Sequence, residues 1–568
     1  MLDIVDDELE QCAARRLALL AAVRAAVGAD HVQTDGMTLE RYGRSTAARS
    51  MRPLAVARPA SHEEVVALVT VAAAHGCPVY PVSSGKNWGY GDACAVGPGQ
   101  LLIDLSRMNR IVHVDAELAY AVIEPGVTQQ QLSAHLRERG LALWMDCTGA
   151  GPDTSLMGNI LERGFGHSPY GNRLQHVSGM RVVLANGETL HTGFGHYQGA
   201  RATHLFPYGV GPFLDGLFTQ SNLGIVTELG MWLMPAAACV QHFLCSVEAP
   251  DGIGAVVDAL RPLRMDGTLR SIVHIGNDLR VISGGRVFPR ALAGGMSRLP
   301  EALRTQMREA AGAGAWTVSG ALYGSAAQVA AARAAVRQAL RPTRARVRFL
   351  DERKLALAAL AGRLLGDCGP GRRLRAQVAL GEALLGMNCG VPNGRFLAGA
   401  YWRRRGALPP SFPDGADPAR DQCGMLWISP ILPMRGADVL ALHALAEPLF
   451  REHGFDLFVT FSMINERALG AVLTITFDKQ DDEETRRAQA CYRAVFDAVM
   501  AAGYLPYRVG NQSMAALDPQ QDSYWKTVAR IRGALDPAGI IAPGRYEPAV
   551  AQNLSLQLQS NAFVTGTR

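Results

Sequence analysis

The stretch PVSSGKNWGYG contains residue types that could bind a charged ligand, and it follows an apolar run that predicts a β-strand. Its backbone N–H groups and hydroxyls are what a diphosphate needs from a loop. Its spacing fits neither G-x-G-x-x-G nor G-x-x-x-x-G-K-S/T, so no Rossmann or P-loop site is indicated. The residues alone allow either a diphosphate loop or an ordinary glycine turn. The candidate ligands are Ser83, Ser84, Gly85, Lys86 and Asn87.

A second stretch, residues 148–171, is dense in glycine and reads TGAGPDTSLMGNILERGFGHSPYG. Glycines such as Gly149 and Gly158 let the backbone approach a flat ligand closely. Asp153, Thr154 or Ser155 could cap the helix that follows. The pattern therefore indicates either a ligand site beside a helix start or a tight helix-to-strand crossing.

These two stretches lie in a segment where predicted helices and strands alternate, over about residues 45–236. A helix should begin after Ser61 and run through Ala74, and an Asn186-Gly187 turn predicts a β-hairpin. After Pro235, alanine-rich helices (residues 326–340 and 351–365) are interspersed with strands such as ALGAVLTITF. We predict an α+β protein in which the second region is an antiparallel sheet flanked by helices.

Length and composition exclude several functional classes. A chain of 568 residues needs at least two domains, and 48% hydrophobic residues can bury large cores. A net charge of +5 without a basic stripe argues against a nucleic-acid partner. The ten cysteines form no zinc or disulfide framework, and the start is acidic, so we expect reduced thiols and a cytoplasmic location. No apolar run of about 18 residues predicts a membrane span.

Several motifs in order resemble the vanillyl-alcohol oxidase and 4-cresol dehydrogenase family of flavoproteins. They are the two stretches above together with EPGVT, HLFPYGVGPFLDGLFTQSNLGIVTELGMWLMP and the terminal IIAPGRY. The resemblance covers nearly the whole chain and is strongest over residues 52–235 and 504–548. It implies a two-part FAD-binding domain of the p-cresol methylhydroxylase (PCMH) type, made of residues 1–236 and 500–568, with a cap domain at 237–499.

The resemblance also implies where FAD would bind. The serine–glycine–lysine loop would hold the diphosphate, the glycine-dense stretch would line the ribityl and ring side, a third stretch would meet the adenine half, and an arginine near the C-terminus would reach back to the cofactor. Beyond the loop residues already named, the implied positions are Gly149, Ser155, Gly158, Asn159, Glu162, Gly224, Ile225, Val226 and Arg545.

By the same resemblance, Tyr90, Tyr507 and Arg508 match a triad that binds a phenolic oxygen as phenolate. A phenol with a pKa near 10 needs about 3–4 kcal/mol of anion stabilisation to ionise near neutrality. An arginine and two hydroxyl donors could supply it. Phenolate electrons can then expel hydride from the para side chain towards flavin N5, leaving a p-quinone methide. Without the resemblance, Tyr507 and Arg508 would be interpreted as a strand end.

The sequence departs from the family near the flavin N5. Ala150 stands where several members carry an aspartate, and Asp153 is better explained as a helix cap. His167 replaces a tyrosine of the family's G-Y-T-P-Y-G run. It could handle a proton at the active site, because imidazole titrates near neutral pH, or it could be a hydrogen-bonded structural histidine.

The covalent flavin links known in the family also lack a clear match. Met425 occupies the place of a linking histidine before the L-x-x-S-P run, and thioether sulfur is not the expected nucleophile. The segment around Asn388 and Cys389 lacks the cap tyrosine that other members use, although Tyr401 lies further along. We therefore expect FAD to be bound non-covalently.

We predict an FAD-dependent oxidoreductase that oxidises the side chain of a small para-substituted phenol. Dioxygen or a cytochrome-type acceptor would reoxidise the flavin, and a homo-oligomer is expected. One alternative is an FAD dehydrogenase of hydroxy acids or sugar lactones, which would not need the triad. Another is a flavin-binding, electron-transfer scaffold that has lost catalysis, which Ala150 and Met425 would suit.

Overall fold

The protein is described by a computed structural model that covers residues 2–410, 412–413, 415–518 and 522–554. Within these residues no helix combines the length and apolarity needed to cross a bilayer. The α-helices of the described residues are α1 Leu2–Val27, α2 Gly36–Gly43, α3 His62–Ala74, α4 Gln129–Glu138, α5 Leu156–Leu161, α6 Ile253–Met265, α7 Asp278–Ile282, α8 Glu301–Ala311, α9 Ala326–Leu340, α10 Glu352–Leu364, α11 Gly369–Asn388, α12 Gly436–Glu452, α13 Asp482–Ala501 and α14 Ser523–Leu535.

Between these helices the same residues form short and medium-length strands. The strands are β1 Val32–Gln33, β2 Ala55–Ala57, β3 Val79–Val82, β4 Leu101–Asp104, β5 Ile111–Asp115, β6 Tyr120–Ile123, β7 Leu143–Trp144, β8 Val177–Val183, β9 Thr189–His191, β10 Ile225–Trp232, β11 Met234–Pro235, β12 Cys239–Val247, β13 His274–Asn277, β14 Trp316–Gly324, β15 Arg346–Leu350, β16 Cys423–Ile428, β17 Ile431–Pro433, β18 Phe458–Ser462 and β19 Ala468–Asp478.

The first sheet combines the beginning and the end of the chain. Its order is β1-β2-β4-β3, and β2, β4 and β3 run parallel. The N–H of Val79 donates to the carbonyl of Ile540, and the N–H of Ala542 donates to the carbonyl of Val79, both at 2.8 Å. Residues 540–542 therefore extend this sheet beside β3, which fits the predicted two-part domain, whose boundaries at 236 and 500 remain a prediction.

The second sheet is antiparallel, in the order β5-β6-β10-β8-β9. The predicted hairpin is confirmed as β8 and β9, joined through a turn in which Gly187 has φ +82°. Such a φ is easy only for glycine, so the turn residue and the strand pairing agree. The predicted start of α3 is also confirmed, because the Ser61 side chain accepts from the N–H of Glu64.

The third sheet, called the cap sheet here, has the order β15-β12-β14-β13-β18-β19-β16, and β17 pairs with β19. Its pairings are antiparallel, and α6, α12 and α13 pack on it, as predicted. Ile275, Phe461 and Leu473 face those helices in the core. Since side chains alternate along a strand, the neighbouring residues of β13, β18 and β19 point to the opposite face, towards the first two sheets.

Candidate active site

A groove of about 1240 Å³, counted with its open mouth, lies where the loop after β3, the segment around α5, the start of β10 and the C-terminal segment meet. All the predicted cofactor residues except Gly149 line it. They are Ser83, Ser84, Gly85, Lys86, Asn87, Ser155, Gly158, Asn159, Glu162, Gly224, Ile225, Val226 and Arg545. Gly149 instead packs against Phe396, whose Cβ is 3.0 Å from where a Cβ at residue 149 would lie.

The groove suits an elongated ligand that carries a diphosphate. Gly85 has φ +65°, and the Ser84 hydroxyl accepts from the N–H of Ser155, so the loop after β3 lies against the start of α5. A Cβ at Gly158 would be 2.3 Å from the Ser83 hydroxyl oxygen, so this approach depends on the missing side chain. Small residues and backbone N–H groups on both walls fit the chemistry of a dinucleotide cofactor.

The prediction that Asp153 caps the helix is wrong. Ser155 is the N-cap of α5, and its hydroxyl accepts from the N–H of Gly158 at 2.9 Å. Asp153 precedes the cap and is largely exposed, and it forms a salt bridge of 3.0 Å with Lys86. The turn at residues 151–154 places the aspartate towards the loop at residues 83–87, which short-range spacing did not reveal.

A buried ionic cluster closes one end of the groove. The Glu162 carboxylate accepts from Arg545 and from the hydroxyl of Tyr546, and it lies 3.4 Å from Nε of Arg508. Burial would raise the pKa of Glu162, but the two guanidinium groups outweigh it and hold the pKa below its usual value. Two cations and one anion leave this cluster with one net positive charge.

The predicted triad assembles beside that cluster. The Arg508 guanidinium lies 4.5 Å from the ring centroid of Tyr90 and donates to the side chain of Asn87. Tyr507 lies close enough to Tyr90 and Arg508 to interact with both. Burial raises the pKa of Tyr90 and of Tyr507, so both hydroxyls stay protonated and can donate hydrogen bonds.

The cap sheet supplies partners for the triad that sequence reasoning missed. The hydroxyls of Tyr90 and Ser429 are 2.5 Å apart, and the N–H of Tyr507 donates to the Ser429 carbonyl. Trp427 lines the groove and meets the Tyr90 ring edge-on at 5.5 Å. Trp427 and Ser429 lie two residues apart in the sequence WISP, residues 427–430, and no sequence pattern had singled out either side chain. Tyr507 is not in a strand, since only Pro506 forms an isolated bridge there.

His167 faces the cap sheet, where it meets His274 with ring centroids 4.2 Å apart. Nε2 of His274 lies 3.1 Å from the Gly166 carbonyl, so this nitrogen carries the proton and Nδ1 accepts from Ser462. Burial, with further contributions from His274, lowers the pKa of His167 well below 6.5. His167 is therefore a neutral imidazole, rather than one that titrates near pH 7.

A third histidine, His242, is fully buried on the same face of the cap sheet. Its Nε2 has no partner among the described residues, and burial lowers its pKa to about 4. Asn388 lies beside its other nitrogen and accepts from the Tyr323 hydroxyl at 2.9 Å. Burial raises the pKa of the neighbouring Cys389 to about 12. Asn388 and Cys389 thus belong to a buried network outside the groove.

The remaining candidates for a covalent flavin link also do not line the groove. Met425 packs in an apolar cluster, and the Tyr401 hydroxyl donates to Asp421 at 2.6 Å. Ala150 does line the groove, and its carbonyl accepts from the Trp88 indole. The residue that the resemblance matches to the family's aspartate thus borders the groove without a carboxylate.

Comparison with known proteins agrees with this architecture. A family described as "FAD binding domain" matches residues 53–193, and one described as "FAD linked oxidases, C-terminal domain" matches residues 399–546. The 1'-carboxy-chondrochloren decarboxylase of Chondromyces crocatus is 40% identical over 533 residues, which are 93% of this chain and 96% of that protein. The 4-cresol dehydrogenase (hydroxylating) flavoprotein subunit of Pseudomonas putida is 31% identical over 92% of this chain and 94% of that protein.

A crystal structure of p-cresol methylhydroxylase with substrate bound has the same fold. It matches with a TM-score of 0.83 and 29% identity, and the match covers 94% of this chain and 97% of that one. The groove residues and these matches together identify the cofactor as FAD. The chain belongs to the PCMH-type family of FAD-linked oxidases and is an FAD-linked oxidoreductase.

Proposed function

We propose that this enzyme oxidises the side chain of a para-substituted phenol by removing hydride from the carbon attached to the ring. The observation that carries the proposal is the cluster of Arg508, Tyr90 and Tyr507 at the end of the FAD groove. Two protonated tyrosines and a guanidinium are hydrogen-bond donors that favour an oxyanion over a neutral hydroxyl. A phenol bound there ionises more readily than in water.

The charge of the site supports this assignment. Arg508 and Arg545 share the single carboxylate of Glu162, so one positive charge is left for the ligand. Lowering a phenol pKa from about 10 to about 7 requires roughly 4 kcal/mol, at 1.36 kcal/mol per unit. Hydrogen bonds to charged groups contribute about 1.5–3 kcal/mol each, so the three donors are sufficient.

Bound FAD would supply the acceptor for the hydride, with dioxygen or a cytochrome-type protein as the final electron acceptor. The protein residues orient the ligand: the triad holds the phenolate oxygen, while Trp427 packs against Tyr90 and borders the groove. With the oxygen fixed, the electron pair of the phenolate enters the ring as hydride leaves the side-chain carbon attached at the para position. The product of this step is a p-quinone methide.

His167 would handle the proton that follows. Its ring makes no hydrogen bond to any described residue, and its lowered pKa keeps it neutral, so it can accept a proton from water that adds to the quinone methide. The nearby His274 cannot do this as readily, because Gly166 and Ser462 occupy both of its ring nitrogens. Ala150 offers no carboxylate for the task.

A second candidate outcome is loss of a side-chain carboxyl group. A relative that is 40% identical is named a decarboxylase. If the substrate carries a carboxylate on the carbon beyond the benzylic one, the carbon–carboxyl bond of the quinone methide can break. Its electron pair then forms the side-chain double bond as the ring becomes aromatic again, and CO₂ leaves. Hydride removal is common to both outcomes.

Anaerobic mixing of the FAD-loaded enzyme with p-alkylphenols, p-hydroxybenzylic alcohols, 2-hydroxy acids and sugar lactones tests the proposal. Bleaching of the flavin by the phenols alone is expected. Bleaching by hydroxy acids or lactones that survives Tyr90→Phe, Tyr507→Phe and Arg508→Ala would favour the alternative dehydrogenase. No bleaching by any compound would favour the electron-transfer scaffold. Acid precipitation tests non-covalent FAD, because yellow colour in the pellet would contradict it.

A further inference from the structure

Arg280 is a partly buried arginine of the cap sheet region that the proposed phenol chemistry does not use. It lies in α7, directly after β13, among buried neighbours such as Leu279 and Phe458. Its Nη2 donates to the Thr474 hydroxyl at 2.6 Å, and the Val472 carbonyl is 3.4 Å away. Arg280 therefore lies over the cap sheet at β19.

The hydrogen-bonding capacity of Arg280 is largely unused. Its Nε is buried without a partner, and Nη1 makes no hydrogen bond to any described residue. Burial alone lowers the pKa of Arg280, to about 10, with no carboxylate nearby to raise it. The side chain stays cationic at neutral pH and lacks a counter-ion within the described chain.

The fully buried arginines of this protein have carboxylate or backbone carbonyl partners. Arg173 pairs with Asp146 at 2.7 Å, and Arg403 pairs with Glu484. Arg264 has no carboxylate either, but its Nη1 donates to three backbone carbonyls at 2.7–2.9 Å. Arg264 shares an unpartnered Nε with Arg280, but Nη1 of Arg280 also lacks the backbone acceptors that Arg264 has. Since a desolvated charge without partners is costly, Arg280 has the donors left over for a partner from outside the chain.

The cap sheet register connects Arg280 to the phenol end of the site. Thr474, which holds Nη2, lies directly opposite Trp427 in the β16–β19 pair. Directly opposite residues place their side chains on one face with Cβ atoms about 5 Å apart. Trp427 in turn contacts Tyr90 and lines the FAD groove. Arg280 and the triad thus adjoin the same face of the cap sheet, and Thr474 and Trp427 lie between them.

Two glycines pack closely against the Arg280 side chain. A Cβ at Gly399 would lie 3.7 Å from Nη1 of Arg280, and one at Gly276 would lie 3.2 Å from its Cβ. Gly399 shares the 3₁₀ segment Arg395–Tyr401 with Phe396, whose ring is 5.8 Å from that of His167. The unused face of Arg280 therefore adjoins the segment that also borders the proposed proton acceptor.

We propose that Arg280 binds a carboxylate at the end of the substrate's para side chain, an inference that rests on the proposed phenol oxidation. The substrates are then 4-hydroxyphenyl alkanoates, held at the phenolate by Arg508 and at the carboxylate by Arg280. The free Nη1 and Nε edges of a guanidinium match a carboxylate bidentately. The carbon that loses hydride lies between the two anchored ends.

Stopped-flow reduction of the FAD-loaded enzyme by 3-(4-hydroxyphenyl)propanoate, its methyl ester and 4-propylphenol tests the proposal. The wild-type enzyme should bind the carboxylate substrate more tightly than either neutral compound. Arg280→Met should weaken binding of the carboxylate substrate by about 100-fold and change binding of the two neutral phenols by less than about threefold. Arg280→Lys should retain part of the preference, and Arg346→Met, at an exposed arginine of β15, should change none of the three.

Equal binding of acid and ester by the wild-type enzyme would overturn the role of Arg280 while leaving phenol oxidation standing, and this comparison needs no variant. An equal loss of binding for all three substrates in Arg280→Met would likewise overturn the role of Arg280, since that pattern reflects damage to the fold. Failure of the wild-type flavin to bleach with any of the three would instead refute the proposed function.

Discussion

Replacing Arg508 by alanine removes the charge on which the proposed phenol chemistry depends. In the native cluster Arg508 and Arg545 face the single carboxylate of Glu162. Without Arg508, the remaining pair cancels and no net positive charge is left for a phenolate. A bound phenol should then return towards its solution pKa of about 10, a change of about three units or 4 kcal/mol.

The expected kinetics follow from the fraction of substrate that is ionised. At pH 7.5 a phenol of pKa 10 is about 0.3% phenolate, so the rate of anaerobic flavin reduction should fall by about 100-fold or more. In the Arg508→Ala variant this rate should rise tenfold per pH unit up to about pH 10. The wild-type rate should level off near neutrality.

Stopped-flow flavin reduction between pH 6 and 10 measures the rate. Absorbance titration of a bound phenol that carries no oxidisable side chain measures the pKa of the bound phenol. Arg508→Lys is the charge-retaining comparison and should recover part of the rate, while Arg346→Ala should behave as wild type. An Arg508→Ala enzyme with the wild-type pH profile and an unchanged phenol pKa would refute the reasoning.

Further substitutions test the packing and electrostatics around the site. Glu162→Gln should lower the free energy of unfolding by about 3 kcal/mol in urea titrations, because two buried guanidinium groups lose their counter-ion; an unchanged midpoint would contradict this. Gly166→Ala should lower the free energy of unfolding by about 2–4 kcal/mol, since its Cβ would lie 2.4 Å from the Cys147 carbonyl oxygen. Gly533→Ala is the control: the space beside Gly533 in α14 is open, so this change should be neutral or stabilising.

The stability of the protein should also depend on pH, because burial lowers the pKa of His242 and of His274 from 6.5 to about 4. The unfolded chain therefore binds protons between pH 6.5 and 4 that the folded protein does not, and stability should fall in that window by up to about 3 kcal/mol per histidine. Urea unfolding at pH 4.5 and 7.5 should show a smaller difference for His242→Asn than for the wild type.

Local patterns in the sequence were sufficient to predict many elements of the fold. The Ser61 cap, the Asn186-Gly187 hairpin and the helix at residues 326–340 depend on contacts within a few residues, and each occurs where predicted. The loop at residues 83–87 was a candidate diphosphate site from its consecutive backbone N–H groups and serine hydroxyls, and the structure places its residues in the groove. Asp153 failed as a cap because Ser155, two residues on, captures the helix start.

The active-site geometry depends on contacts between distant segments, and only the tertiary structure decided it. Family resemblance predicted that Tyr90 and Arg508 would meet, but their bonds to Ser429 and Asn87 join residues more than 300 positions apart. The lowered pKa of His167 comes from burial against His274, which no spacing rule relates to it.

Arg280 illustrates the same limit. In the sequence it is an ordinary arginine of a short helix, and its unpaired charge emerges only when β13 and β19 join one sheet. The sequence by itself thus determined many of the helices and strands, through short-range hydrogen bonding and the alternation of apolar residues. Strand pairing and domain packing decided which charges are buried and which lack a partner, because desolvation and pairing depend on neighbours that are remote along the chain.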